Sequence, residues 1–290
     1  MLGIHVMGLL MLSVMRLALY VAGHHLLAPS SSGEIWLQAQ AFVHGVWFDN
    51  VIGCYILIVP LVLTSIVHLM GRPHLALKAN LLWMRLLWLI AIAISACNIP
   101  YFLYFSKNVN SSIWNWTEYG TTTLGMLLGE QSYYPIMAGY LLTAILFVYL
   151  TIKVRRHFSL SQTGKPNNPN TKAVWPKRMA DMLGVLIVTC ISVGLCLLGI
   201  RGRTGYNPIK VSAAYYCHDT FLNQLGINPS FNLLSTTLDD RRPENRRLNL
   251  MPVDEARQEC ITQMGRPCPL NTSDAADDLR CVDPGGRRII

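Results

Sequence analysis

Five apolar runs, each about 19–25 residues long, leave this chain few ways to fold. They are Ile4 to Leu27, Val51 to Met70, Leu81 to Phe105, Tyr134 to Ile152 and Met182 to Ile200. As a helix, each is long enough to cross a hydrocarbon layer of roughly 30 Å. A single open-chain segment satisfies its own peptide groups in lipid only as a helix, so five spanning helices are expected. Charge content agrees, since 14% of the residues are charged against about a quarter in a soluble domain. The expected class is an all-α integral membrane protein, with five transmembrane helices followed by juxtamembrane amphipathic helices and a mostly irregular tail. Pro60 and Pro100 fall inside runs two and three, where neighbouring helices are expected to satisfy the freed carbonyls.

Lys and Arg in the short loops set the orientation. The loop Ala28 to Asn50 has neither, and Ser106 to Ser132 has Lys107 alone. Gly71 to Asn80 has Arg72 and Lys78. Lys153 to Arg178 has seven basic residues and no acidic one. The second and fourth loops are therefore expected in the cytoplasm, with the N-terminus inside and the C-terminal tail outside. Trp36, Trp47, Phe48, Tyr104, Trp114, Trp116, Tyr119, Tyr133 and Tyr134 then gather on the outer side, as an interfacial belt would. No Lys or Arg precedes the first run, which speaks against a cleaved signal peptide. The net charge of +8 is concentrated in a loop between spans rather than on an aromatic-rich basic face, so nucleic acid is not an expected partner.

The organisation read from these features is a transmembrane part over 1–200, an outer helical tether over 201–238, and a linker and irregular tail over 239–290. Gly202 and Gly205 allow a bend where the chain leaves the membrane. Ile209, Ala213, Cys217, Phe221 and Leu225 recur at a spacing of four, which predicts a loose helix over Ile209 to Leu225. Asn228 and Pro229 form a capping residue and a first-turn proline, starting a second short helix through Leu234. Both are expected to rest on the bilayer surface. Asp254 to Met264 predicts one more short helix. From Asp239 onward no aromatic residue occurs, too little to build an independent core.

Arg16 is the most exceptional single residue, because it lies well inside a span. Its expected contact is Asp49 at the start of the second run, or a lipid phosphate. Arg85 lies near a cytoplasmic loop, where its side chain can snorkel. Cys54, Cys97, Cys190 and Cys196 read as packing residues of the spans. Cys217, Cys260, Cys268 and Cys281 lie in the outer tail, where disulfides are permitted. His24, His25 and His44 share the outer side, but no carboxylate or cysteine pattern completes a metal site. Phosphate-loop, nucleophile-elbow and HExxH motifs are absent from the sequence, so no catalytic, cofactor-binding or metal-binding residues are assigned. Five helices do not divide into the matching halves of an inverted-repeat transporter.

Four stretches carry a resemblance. They are "AFVHGVWFDN" (Ala41 to Asn50), "NIPYFLYFSKNVNSS" (Asn98 to Ser112), "IRGRTGYNPIKVSAAYY" (Ile200 to Tyr216) and "LNQLGINPSFNLLSTT" (Leu222 to Thr237). Their order resembles the N-terminal membrane part of the lipoteichoic acid synthase-like family, the sulfatase-fold phosphoglycerol and phosphoethanolamine transferases. The resemblance implies an anchor, in the bacterial cytoplasmic membrane and among membrane lipids, for an extracytoplasmic catalytic domain. That domain would bring a threonine nucleophile and a Mn or Mg ion, none of whose positions match residues here; it would follow this chain or come from a separate polypeptide. The alternative is a complete multi-pass sensor or assembly protein with a disulfide-containing outer tail.

Overall fold

The structure, a computed structural model, describes residues 1–29, 31, 33–70, 73–163, 175–203, 205–242 and 251–264. Helices α1 (Leu2–Ala22), α2 (Ile35–Leu69), α3 (Pro73–Phe105), α4 (Gly120–Gly129), α5 (Tyr134–Thr163) and α6 (Trp175–Arg201) come first. Two shorter helices follow, α7 (Thr220–Leu225) and α8 (Pro229–Asp240). Met1 to Asp240 form one compact unit, and Arg241 to Ile290 a second, whose described helix is α9 (Val253–Met264). Among the described residues there is no strand, and five helices, α1, α2, α3, α5 and α6, are long and apolar enough to cross a membrane. The chain is an all-α membrane protein.

Long helices consecutive in the chain run antiparallel, as individual contacts show, and α1 and α3, which also pack together, run parallel. Near the end of α2, Thr64 accepts from Asn80 Nδ2 near the start of α3 at 2.7 Å. Arg85, in the first half of α3, donates through Nε to Thr151, in the second half of α5. Ser65 and Thr189 pair across α2 and α6 at 2.8 Å, and Cys196 Sγ reaches the Cys54 carbonyl further along the same pair. Hydroxyls inside the spans bond back to the carbonyl four residues earlier, as with Ser13 to Leu9, Thr143 to Gly139 and Thr189 to Val185. They hide their polarity inside their own helix. Pro60 deprives the Ile56 carbonyl of its helical donor, and Trp83 Nε1 of α3 supplies one at 3.2 Å.

Packing is densest where α1, α2 and α3 meet. Trp88 is fully buried there, edge-on to His5 with ring centroids 5.8 Å apart. Gly8 and Gly53 make the approach, since a Cβ on Gly8 would lie 2.3 Å from the Trp88 ring and one on Gly53 2.4 Å from the His5 ring. Burial declines outward: half of the α1 span is buried, but only 6% of the α6 span, which packs chiefly on α2 and turns its other faces outward to lipid.

Several boundaries differ from the sequence expectation. The first span stops at Ala22 and passes through Gly23 into a 3-10 turn, His24–Leu26, rather than continuing to Leu27. The second helix begins at Ile35, not Val51, because its polar residues are satisfied within the protein. Gln38 accepts from Tyr20 and donates to the Ser31 carbonyl, and Asn50 faces His5 Nε2. The third and fourth helices extend past the hydropathy limits to Pro73 and Thr163, and the fifth starts at Trp175.

The loose helix expected over Ile209 to Leu225 is not continuous. It is a 3-10 turn, Val211–Ala214, then a side-chain-bonded turn, then α7. Asn223 Oδ1 accepts from the Tyr216 and Cys217 amides while its Nδ2 donates to the Cys217 carbonyl. Asp219 caps α7 by accepting from Phe221 and Leu222 amides at 2.8 and 3.2 Å. These local bonds compete with helix and win. Asn228 caps α8 through the Phe231 amide, and the helix runs on to Asp240 rather than ending at Leu234. Nor do α7 and α8 rest on a surface: Phe221, Leu222, Leu225, Ile227 and Phe231 are buried, with α7 packed on α1 and α2 and α8 on α2 and α3. Residues 201–238 are thus part of the same compact unit as the bundle. Phe48, expected in an interfacial belt, is fully buried against Phe231, whereas Trp36 and Tyr104 are exposed.

The Gly8 contact yields a direct test. Gly8→Ala should destabilise the bundle by about 1–3 kcal/mol, read as a lowered melting temperature in detergent micelles. Gly139→Ala on α5, where a Cβ meets nothing within 4 Å, should leave that temperature unchanged or slightly raised.

Candidate functional site

The site grows from one residue that a membrane span should not contain. Arg16 lies on the fourth turn of α1 and is only 6% exposed. A guanidinium so placed needs a fixed anion and filled hydrogen bonds. The structure brings Arg16 and Asp49 together in a fork: Nη1 donates to Asp49 Oδ2 at 2.8 Å and Nη2 to Oδ1 at 2.7 Å. Asp49 is fully buried. Gly45, one turn before it on α2, leaves the room, because a Cβ there would overlap the guanidinium carbon at 2.1 Å.

The two remaining bonds of this pair leave the bundle. Arg16 Nε donates to the carbonyl of Leu225, the last residue of α7, at 3.1 Å. Asn228 Nδ2 donates to Asp49 Oδ1 at 2.6 Å while its own Oδ1 caps α8. The C-terminal end of α7 and the start of α8 are therefore both seated on one ion pair. The carbonyl end of a short helix facing a cation is electrostatically sound.

A second polar chain runs alongside. Asn98, fully buried in α3, donates to Asn108 Oδ1 and accepts from the Val109 amide, both at 2.8 Å. Asn108 Nδ2 then reaches the carbonyl and the side-chain oxygen of Gln224, at 2.8 and 3.0 Å. Asn232 of α8 closes the ring on the Val109 carbonyl at 2.9 Å. Around the rim, Asp219 Oδ2 accepts from the Ala28 amide, Trp47 Nε1 donates to the Gly202 carbonyl, and Tyr216 OH donates to the Leu37 carbonyl. Burial, then neighbouring Cys217 and Asp219, push the Tyr216 hydroxyl far above the usual tyrosine range, so it stays a neutral donor. Its ring stacks on His44 at 4.8 Å. Thr236 and Thr237 of α8 receive the Ser111 amide and Trp114 Nε1.

Between the two chains lies a cavity of about 20 Å³ lined in part by Arg16, Asp49, Ser95 and Asn98, enough for one water molecule. It has no room for an organic substrate. Asp49 already accepts three bonds and has no solvent contact, so it is not placed to take a proton from one. What the arrangement does is mechanical: it locks a cap, α7–α8, onto the bundle through bonds whose centre, at Arg16, Asp49 and Asn228, is buried.

Other residues singled out by sequence lie apart. His24 and His25 are exposed, while His44 Nδ1 faces its own Gln40 carbonyl. Among the described residues no group of three or more His, Cys, Asp or Glu could hold a metal. Cys217 Sγ faces Asn223 Oδ1 at 3.4 Å; Cys260 lies in the second unit, and Cys268 and Cys281 lie outside the described residues. Sequence reasoning missed Asn228, Asn108, Gln224, Asn232 and Gly45. Asn228 carried a signal as a helix cap; its second bond, to Asp49, is set by the fold. No family model matches the chain, and no curated protein or solved structure is significantly similar to it.

The ion pair predicts an asymmetric mutational response. Arg16→Met or Asp49→Leu alone should cost about 3–5 kcal/mol, since each strands a buried charge. The double variant should recover to within about 2 kcal/mol of the parent. Thermal unfolding in detergent measures the stability, and protease cleavage within 202–240 reports whether the cap has detached.

Proposed function

We propose that this chain is the membrane anchor of a lipoteichoic acid synthase-like, sulfatase-fold transferase. The enzyme moves phosphoglycerol or phosphoethanolamine from a membrane lipid to an extracytoplasmic acceptor. The carrying observation is the cap: α7 and α8 are bonded to α1 and α2 through Arg16, Asp49 and Asn228. An anchor that only retained a protein in the membrane could end at α6 with any flexible linker. A rigid exit at α8 instead gives whatever follows a defined starting point against the bundle. That is the arrangement needed to keep a catalytic domain level with lipid headgroups. The four resembling stretches support the same reading, because three of them build the cap or its seat. Asp49 and Asn50 end the first, Asn98 and Asn108 lie in the second, and Asn223 to Asn232 lie in the fourth.

The basic loops support an orientation with the N-terminus in the cytoplasm and the cap outside, and the resemblance supports a bacterial cytoplasmic membrane. The Mn or Mg ion and the threonine nucleophile belong to the catalytic domain, supplied beyond this chain or by a separate subunit. Protein isolated from native membranes should carry or co-purify with a sulfatase-fold domain and release diacylglycerol from labelled phosphatidylglycerol or phosphatidylethanolamine when Mn²⁺ is added. Isolates with neither the domain nor the release would overturn the reading. The topology is tested separately on intact cells: a cysteine at Glu34 should react with an impermeant maleimide, and one at Lys78 only after permeabilisation.

A further inference from the structure

The end of the bundle away from the cap holds a second arginine whose bonding is incomplete. Arg85 lies on α3, and its Nε donates to Thr151 Oγ1 of α5 at 3.0 Å. Thr151 is fully buried and passes its own proton to the Val148 carbonyl at 2.8 Å. Among the described residues, buried Arg85 Nη2 has no hydrogen-bond partner. The guanidinium is thereby pinned in the α3–α5 seam with part of its donor set unfilled. A buried arginine donor without an acceptor is costly, and the missing acceptor for a planar fork is an oxyanion.

The two helices that form this seam offer no carboxylate to fill that place. Neither α3 nor α5 contains an Asp or Glu, and the acidic residues of α2 and the cap gather at the opposite end. The cations, by contrast, are in register. Lys78 precedes Arg85 by seven residues on α3, two turns toward the helix start and on the same face. Arg155 follows Thr151 by four residues on α5, one turn toward the same end. Both side chains are exposed. The seam thus presents a graded column of positive charge, from a half-buried arginine near the hydrocarbon edge to two exposed cations at the polar boundary. An anion that reaches Arg85 from this side must cross lipid or already belong to it.

We propose that the α3–α5 seam binds the phosphate of an anionic phospholipid from the leaflet opposite the cap, with Arg85 as the inner contact and Lys78 and Arg155 as the outer ones. This site is independent of any headgroup transfer at the cap side. A phosphate diester supplies the counter-anion that the half-buried Arg85 side chain lacks, and its acyl chains lie along the apolar seam below. Basic pockets between membrane helices recognise lipid headgroups by this combination of charge and depth.

The test uses the whole chain in micelles and native mass spectrometry, with dioleoylphosphatidylglycerol and dioleoylphosphatidylcholine as probes. The expected result is at least one phosphatidylglycerol adduct, held about fivefold or more tighter than phosphatidylcholine, and about fivefold weaker in Arg85→Gln. The double variant Lys78→Gln/Arg155→Gln leaves the buried contact untouched and should also lose affinity, so the result does not hang on the folding of the Arg85 variant. Inorganic phosphate at millimolar concentration should not compete; displacement by it would mean a free-anion site and overturn the lipid assignment. Equal binding of the two lipids, or unchanged selectivity in both variants, would show that water or a detergent headgroup satisfies Arg85 and would overturn the proposal.

Discussion

The pairing of Arg16 with Asp49 is the constraint on which the cap end of this molecule rests. Each charge alone would be intolerable at that depth, because desolvation of an unpaired ion costs more than any single contact returns. The fork leaves the Nε–H, among other guanidinium protons, and a further carboxylate lone pair to be filled. The Leu225 carbonyl takes the first and the Asn228 amide the second. The ion pair thereby obliges the α7–α8 turn to sit where it does, and the apolar residues of that turn follow into the space between the helices.

The seat is redundant in a useful way. Asn98, Asn108 and Gln224 bind α7 from the α3 side, while Asp219 and Tyr216 bind the approach to it from the α1–α2 side. These groups are buried or half-buried, and all but Asp219 are uncharged side chains that fix direction without adding a charge to desolvate. Networks of this kind hold one arrangement well and alternatives poorly. That is the property a rigid exit from a membrane needs, and it separates the cap from a loosely surface-bound amphipathic helix.

Some of this was legible in the residues themselves. An arginine within an apolar run demands an anion, and Asp49 is the carboxylate nearest the second span, so the partner could be named. The run lengths named the five helices for the same kind of reason: backbone groups in lipid have no other donor or acceptor. Pro60 announced a freed carbonyl, although not that Trp83 would serve it. The boundaries were less legible. Hydropathy started the second span only at Val51, because Gln38, His44 and Asp49 look like loop residues until their partners are known.

By itself, then, the sequence determined the class, the number of spanning helices and the need to neutralise Arg16, since each follows from the cost of bare polar groups in hydrocarbon. The tertiary structure alone decided what became of residues 201–240. A spacing of four residues from Ile209 to Leu225 reads as one amphipathic helix on a surface. Asn223 and Asp219 break it by bonding backbone amides, and Arg16, Asp49 and Asn98 draw the pieces into the bundle. Those partners are up to 209 positions apart in the chain, and local pattern carries no information about contacts at such range.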